Sequence, residues 1–374
     1  MTMPSQILPG TISIVEKGVE TNLHSGAQIY VSRSGRPLVE YSAGESRAGI
    51  EMTPDILMLW MSSCKPITAV AIGQLWERNR LHWDDVVSEF IPEFACNGKD
   101  AVTIRHLLTH TCGFRSADTG WKPESWEDLI RRICLAPLEE GWVPGERAGY
   151  HLNAGWYVLG EIIQRTDGRL FSEYVREEIL EPCGCSDSWI GMPYEKFRAY
   201  GDRMGAMHVL TNDSLQHLSF YDSEEAVVMP RPGSNGRGPA RELGRFYEML
   251  LADGYSGDKS ILKPETVRQL TARHRIGLYD ETFRHKMDWG LGFIPDNNRY
   301  GVDTVPYGYG PHCSSATFGH SGSQSSTAFA DPERDLVAAI VFNGMPGEPR
   351  HQQRIRAVTS AIYEDLELAD GRDH

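Results

Sequence analysis

Ser62 and Lys65 stand three residues apart in Ser62-Ser63-Cys64-Lys65, directly ahead of the apolar run Pro66-Ile67-Thr68-Ala69-Val70-Ala71-Ile72-Gly73-Gln74-Leu75-Trp76-Glu77. The run reads as a helix. Residues three and four apart on a helix are neighbours, so the Lys65 amine reaches the Ser62 hydroxyl. The unpaired N–H groups at the helix start favour negative charge at the same place. A hydroxyl beside a proton acceptor is an activated nucleophile for covalent acyl chemistry. The spacing alone is a weak signal, because a chain of this length contains on the order of one Ser-x-x-Lys by chance. Ser256-Gly257-Asp258-Lys259 repeats it in a loop-like run without apolar periodicity, where nothing fixes the geometry.

Other reactive residue types fall into weaker patterns. His106 and His110 have the i, i+4 spacing of a zinc helix but lack the glutamate of His-Glu-x-x-His. His312-Cys313 has no further ligand beside it, and Asp84 and Asp85 read as capping or solvated residues. Gly236-Arg237-Gly238-Pro239-Ala240-Arg241 lacks the Gly-Lys-Ser ending of a phosphate loop and reads as a turn into a helix. No metal or other cofactor is expected.

The elements that must carry Ser62 can be outlined. Ala27–Ser32 and Leu38–Tyr41 flank Arg33-Ser34-Gly35-Arg36-Pro37 as a β-hairpin. Ser326–Ala330 and Leu336–Phe342 form a second hairpin across Asp331-Pro332-Glu333-Arg334, and the last strand is apolar throughout, as a strand covered on both faces would be. A helix from about 352 to 366 follows, with Ile355, Val358, Ile362 and Leu366 at helical spacing. Helices are also expected over 103–108, 156–163, 171–180 and 240–251. Residues 222–238, rich in Gly, Pro and Ser, read as a long surface loop of the kind that often serves function. Strands at both ends with helices between them predict an α/β (α+β) fold. Its antiparallel sheet is built from residues 1–60 and 270–374, a mainly helical domain spans 61–269, and the active site lies at their interface.

Composition narrows the function. The chain has 374 residues, 40% of them hydrophobic, which suits one large body or two closely packed domains. Its net charge of −14, with no basic block, argues against nucleic acid or anionic membrane as partners. No apolar run approaches the roughly 20 residues that span a bilayer. Met1-Thr2-Met3-Pro4-Ser5-Gln6 lacks the basic start and apolar core of a signal peptide, so a cytoplasmic location is expected. The seven cysteines, at 64, 96, 112, 134, 183, 185 and 313, are odd in number and scattered, which reads as reduced, mostly buried thiols. Cys183-Gly184-Cys185 reads as a turn.

Met61-Ser62-Ser63-Cys64-Lys65-Pro66-Ile67-Thr68-Ala69 resembles the nucleophile helix of the serine β-lactamase and penicillin-binding-protein superfamily. The resemblance is to its class C β-lactamase-like branch, which includes esterases, D-aminopeptidases and transacylases. Further segments agree in order. Thr103-Ile104-Arg105-His106-Leu107-Leu108-Thr109-His110-Thr111-Cys112-Gly113 is similar to that branch's "IRHLLTHTSG" run. Pro144-Gly145-Glu146, Tyr150-His151, Gly155-Trp156 and Leu159-Gly160-Glu161 resemble its tyrosine segment. Phe318-Gly319-His320-Ser321-Gly322, followed by Phe329-Ala330-Asp331-Pro332, resembles its closing strand. The likeness extends from about residue 25 to 345 and implies a β-lactamase/transpeptidase-like fold.

The resemblance implies Ser62 as acylated nucleophile, Lys65 as its activating partner and Tyr150 as the second general acid or base. It also implies that the backbone N–H groups of Ser62 and Ser323 form the oxyanion hole, and that His320, Ser321 and Gly322 line the acyl pocket. Free Tyr and Lys titrate near about 10 and 10.4, so neither is a base at neutral pH unless its surroundings shift it. Packed together, they titrate as a pair. Two departures stand out. His320 replaces the lysine of Lys-Thr-Gly, removing a permanent cation that would hold a β-lactam carboxylate. The Tyr-x-Asn of β-lactamases becomes Tyr150-His151-Leu152-Asn153, which sets Asn153, the remaining candidate substrate contact, one residue late. Both argue against β-lactam hydrolysis.

The function expected is therefore acyl transfer through a Ser62 acyl-enzyme, with hydrolysis of a small carboxylic ester or amide as the leading version. The alternative is a transacylase or amide synthase that passes the acyl group to an amine or alcohol in a biosynthetic pathway. β-Lactamase, D-aminopeptidase and non-catalytic binding roles rank below these.

Overall fold

A computed structural model of the chain describes residues 3–117, 119–121 and 124–369. Its largest sheet is antiparallel and draws its seven strands from both ends of the chain. These are β1 (Gly26–Arg33), β2 (Arg36–Arg47), β3 (Ile50–Glu51), β4 (Ile294–Pro295), β5 (Phe318–Gly322), β6 (Ser326–Asp331) and β7 (Leu336–Phe342). Their spatial order is β4-β5-β6-β7-β1-β2-β3. The two ends meet where β7 pairs with β1, from Ala27 opposite Phe342 to Arg33 opposite Leu336. Both expected hairpins form, and β2 runs on to Arg47.

β7 is buried at every position, and its side chains alternate between two cores. Val337, Ala339 and Val341 join the larger core, while Leu336, Ala338, Ile340 and Phe342 join the second. Five helices organise these layers: α1 (Pro9–Glu20), α2 (Lys65–Glu77), α3 (Ala154–Asp167), α4 (Ala240–Leu251) and α5 (Glu348–Asp365). Val15 of α1 and Ile355, Val358 and Ile362 of α5 cover one face of the sheet. Leu243, Phe246 and Tyr247 of α4 belong to the core on the other face. The last helix starts earlier than its apolar spacing implied, because Pro349 sits in its first turn, where a missing N–H costs nothing.

Three expectations need correction. The stretch 171–180 is not one regular helix: Phe171–Val175 is α-helical and Arg176–Leu180 is a π turn. Residues 222–238 are not a surface loop, since 231–238 are all buried. They include the short helix Glu224–Val228 and the strand Gly236–Gly238, which lies between Met58–Met61 and Trp189–Ile190 in a three-stranded sheet. Gly236 is therefore part of a strand, not of a turn into a helix. It is also required there, because a Cβ would lie 2.3 Å from Cβ of Cys64. Ser256 and Lys259 pair across a tight hairpin and lie in no helix, so the second Ser-x-x-Lys has no nucleophile geometry. All seven cysteines are free thiols. Among the described residues no helix is long and apolar enough to cross a membrane.

Candidate active site

The chain reaches Ser62 through a strained turn. The strand Met58–Met61 ends at Met61 with φ 50° and ψ −135°, then enters the 3-10 turn Ser62–Cys64 that leads into α2. A buried non-glycine residue with positive φ is uncommon and needs surroundings that hold it. The clamp comes from β5 and β6. Ser63 Oγ donates to His320 O at 3.2 Å and lies 2.8 Å from Ser326 Oγ, which donates to Trp60 O at 2.5 Å. Gly322 allows this approach, because a Cβ there would sit 2.3 Å from Trp60 O.

Lys65 is fully buried at the start of α2, and its Nζ donates to Ser62 Oγ at 3.0 Å. Two backbone carbonyls complete its shell, Leu152 O at 2.7 Å and Gly233 O at 2.6 Å. The second carbonyl belongs to the buried 231–238 segment, whose Pro232 O also accepts Thr68 Oγ1 at 2.7 Å. No carboxylate offsets the burial, which lowers the Lys65 pKa to about 7.

Tyr150 meets this pair from the opposite side. Lys65 Nζ lies 5.1 Å from its ring centroid. Burial raises the Tyr150 pKa well above that of a free phenol, and the Ser62 hydroxyl beside it only partly opposes the shift. Asp280 sets the loop around it: Oδ1 accepts Tyr150 N–H at 3.1 Å, Thr282 N–H at 3.0 Å and Phe283 N–H at 3.0 Å. Asp280 is itself buried against Arg275, with Oδ2 3.1 Å from the guanidinium. His110 packs on the Tyr150 ring with centroids 4.5 Å apart. Its Nδ1 accepts His151 N–H at 3.0 Å, and burial holds its pKa well below that of a free imidazole. No cluster of three or more metal-ligating side chains occurs among the described residues.

A cavity of about 350 Å³ opens onto Ser62. Tyr150, His320, Ser321 and Ser323 share its wall with Ser62, so one space holds the hydroxyl, the phenol and the turn after Gly322. His320 Nδ1 lies 2.8 Å from Ser321 O, a pure acceptor, so Nδ1 carries the proton and the buried, unpartnered Nε2 keeps its lone pair. Burial and the nearby Lys65 amine lower the His320 pKa to about 3, so the ring is neutral where the replaced lysine would be charged.

Asn153 is not brought to this wall. The extra residue after Tyr150 puts Leu152, 64% exposed, on the cavity instead, and leaves Asn153 as the residue before α3 with its Oδ1 buried and unpartnered. Gly322 is close-packed behind the wall. The residues that sequence reasoning passed over are Asp280 and Arg275 behind Tyr150, the carbonyls of Leu152 and Gly233 on Lys65, and Phe283, Tyr307 and Glu348 on the cavity. None of them sits in a motif, and backbone carbonyls leave no trace in residue type.

The Esterase/beta-lactamase LipL of Mycobacterium tuberculosis is 25% identical over 349 residues, covering 85% of this chain and 77% of that protein. A penicillin-binding-protein homologue from Caulobacter crescentus superposes with a TM-score of 0.77 at 28% identity, covering 96% of this chain and 99% of that one. EstCE1, described as a hydrolase with promiscuous acyltransferase activity, superposes with a TM-score of 0.80 at 18% identity over 96% and 99%, a likeness of fold alone. The Beta-lactamase family model matches residues 12–362, and with the fold and the Ser62 cavity in agreement the chain belongs to that family.

Proposed function

We propose that this serine hydrolase of the Beta-lactamase family works through a Ser62 acyl-enzyme, with Lys65 as base and Tyr150 as acid, and that its main reaction is hydrolysis of a small carboxylic ester or amide. The observation that carries the reading is the buried 3.0 Å contact between Ser62 Oγ and a lysine whose pKa has fallen to about 7. A neutral amine has two N–H groups, which the carbonyls of Leu152 and Gly233 occupy. Its lone pair is then free to accept the Ser62 proton.

The steps follow from that arrangement. Ser62 Oγ bonds to the substrate carbonyl carbon as its proton passes to Lys65 Nζ. The oxyanion takes hydrogen bonds from the N–H groups of Ser62 and Ser323. The carbonyl–leaving-group bond breaks, and the leaving oxygen or nitrogen takes the Tyr150 phenol proton. The Lys65 ammonium stabilises the phenolate that remains. An incoming water gives its proton to that phenolate and attacks the acyl carbon. When Ser62 Oγ departs it recovers its proton from Lys65, and the site is restored. A pocket without a permanent cation beside β5 supports esters over β-lactams.

An amine or alcohol could take the place of water, and the acyltransferase activity in the description of EstCE1 supports keeping that second reading. Both readings share one test. A fluorophosphonate probe should add one adduct by intact mass, and Ser62→Ala should remove it. An adduct that persists in Ser62→Ala would sink the assignment. A p-nitrophenyl ester burst that stalls until an amine is added would favour transfer over hydrolysis.

A further inference from the structure

The cavity that opens on Ser62 has a second wall that the acyl-transfer reading does not use. Phe283, Tyr307 and Glu348 line it together with Leu152, Ile294 and Pro306. Glu348 is the exposed first residue of α5. Tyr307 Oη donates to both of its carboxylate oxygens, at 2.8 and 2.7 Å. Among the described residues Glu348 meets no Lys or Arg; its other hydrogen bond comes from Gln352 Nε2 at 3.4 Å.

Tyr307 is held there at a cost. Its φ is 56°, a left-handed conformation that bulky residues rarely adopt. Its N–H donates to Gln352 Oε1 at 2.8 Å, so α5 fixes both its backbone and its hydroxyl. Its ring meets that of Phe283 at 5.8 Å between centroids and 62° between planes. Strain retained at a cavity wall points to what the wall holds. Two angled aromatic rings beside a carboxylate form the surroundings that attract an organic cation. His320 on the opposite wall is neutral and presents a lone pair. The net charge of −14 adds a long-range pull on cations.

We propose that Phe283, Tyr307 and Glu348 form an ammonium subsite, so that the substrates of this cavity carry a quaternary or protonated amine. Describing the occupant as a substrate rests on the acyl-transfer reading; the subsite itself does not. Carboxylate-bearing substrates are excluded by the same charge.

The test uses choline and its neutral isostere 3,3-dimethylbutan-1-ol, titrated by calorimetry into the full chain carrying Ser62→Ala. Choline should bind at least about tenfold more tightly, the scale of one desolvated cation–aromatic contact plus an ion pair. Adding Glu348→Gln should bring the two ligands to within about twofold of each other. Adding Phe283→Leu, which removes a ring but no charge, should weaken choline several-fold more than the alcohol. Equal affinities, undetectable choline binding, or a preference that survives Glu348→Gln would each overturn the subsite. Butyrate esters of the two alcohols, given to the protein with Ser62 intact, separate the two readings. Ser62-dependent turnover without charge preference would remove the subsite and leave acyl transfer standing. Ammonium binding that depends on Glu348, with no Ser62-dependent turnover of either ester, would do the reverse.

Discussion

Lys65 has three acceptors around one nitrogen and no anion among them, so its chemistry depends on which of its forms burial favours. With the pKa lowered to about 7, the amine is neutral in weakly alkaline solution. With the neutral amine as the base in the proposed mechanism, kcat/KM should rise with pH through a single limb near 7 and then level off. Lys65→Arg, permanently charged, should lose about 10²–10⁴-fold and show no such limb. A wild-type profile that falls with pH over this range would contradict the assignment of Lys65 as base. The same shift bears on stability. Between about 7 and the unfolded lysine value, the unfolded chain binds a proton that the folded one does not, so stability should rise with pH across that window. His320 has its pKa lowered to about 3 and stays neutral throughout, so His320→Gln should leave the position of the limb unmoved. A shifted limb in that variant would show that His320 titrates with the site.

At the scale of elements, the site depends on segments distant in sequence that offer backbone atoms rather than side chains. The 279–283 loop sets Tyr150 through three N–H groups gathered on Asp280 Oδ1. Asp280→Ala would leave those donors and the buried Arg275 guanidinium without their anion. The expected loss is about 3–5 kcal/mol in urea unfolding, the range for breaking a buried ion pair. Turnover should fall further than that of Lys286→Ala, a control on the neighbouring strand whose side chain is exposed. A midpoint within error of wild type would show that Asp280 does not hold the loop. Ser62 and Lys65 could be found in the sequence because helical spacing is local. Tyr150 could be found only by likeness to a known segment, since nothing in Gly149-Tyr150-His151 separates it from packed tyrosines. Residues 222–238 have the Gly, Pro and Ser content of a surface loop, whereas the carbonyls of Gly233 and Pro232 within them pack against Lys65 and Thr68.

Over the whole molecule, the sheet joins the two ends of the chain, and β7 is the strand through which they meet. Ile340 lies opposite Ile29 in that pair and is fully buried. Ile340→Ala should cost about 2–5 kcal/mol by leaving a cavity in the core beneath α1 and α5. Ile340 does not line the Ser62 cavity, so the folded variant should keep its probe adduct; loss of labelling without loss of stability would contradict this separation. The thiols report on the same packing. Cys96 alone of the seven is not buried, so a native thiol titration should find at most one fast group, and denaturation should expose all seven.

The sequence by itself determined the elements whose signals are local. These are the two hairpins, the apolar strand at 336–342, the helix that carries Ser62 and Lys65, and the family likeness in the motifs around them. It also contained the two departures from the β-lactamase pattern, His320 and the displaced Asn153. Tertiary structure alone decided the charge states and the shape of the cavity. Lys65 reaches its low pKa because the 231–238 segment seals it with carbonyls in place of a carboxylate, and desolvation is a property of surroundings, not of residue type. Glu348, Tyr307 and Phe283 come to one wall only when α5 and the 279–283 loop close over the same face of the sheet, a proximity that no spacing along the chain encodes.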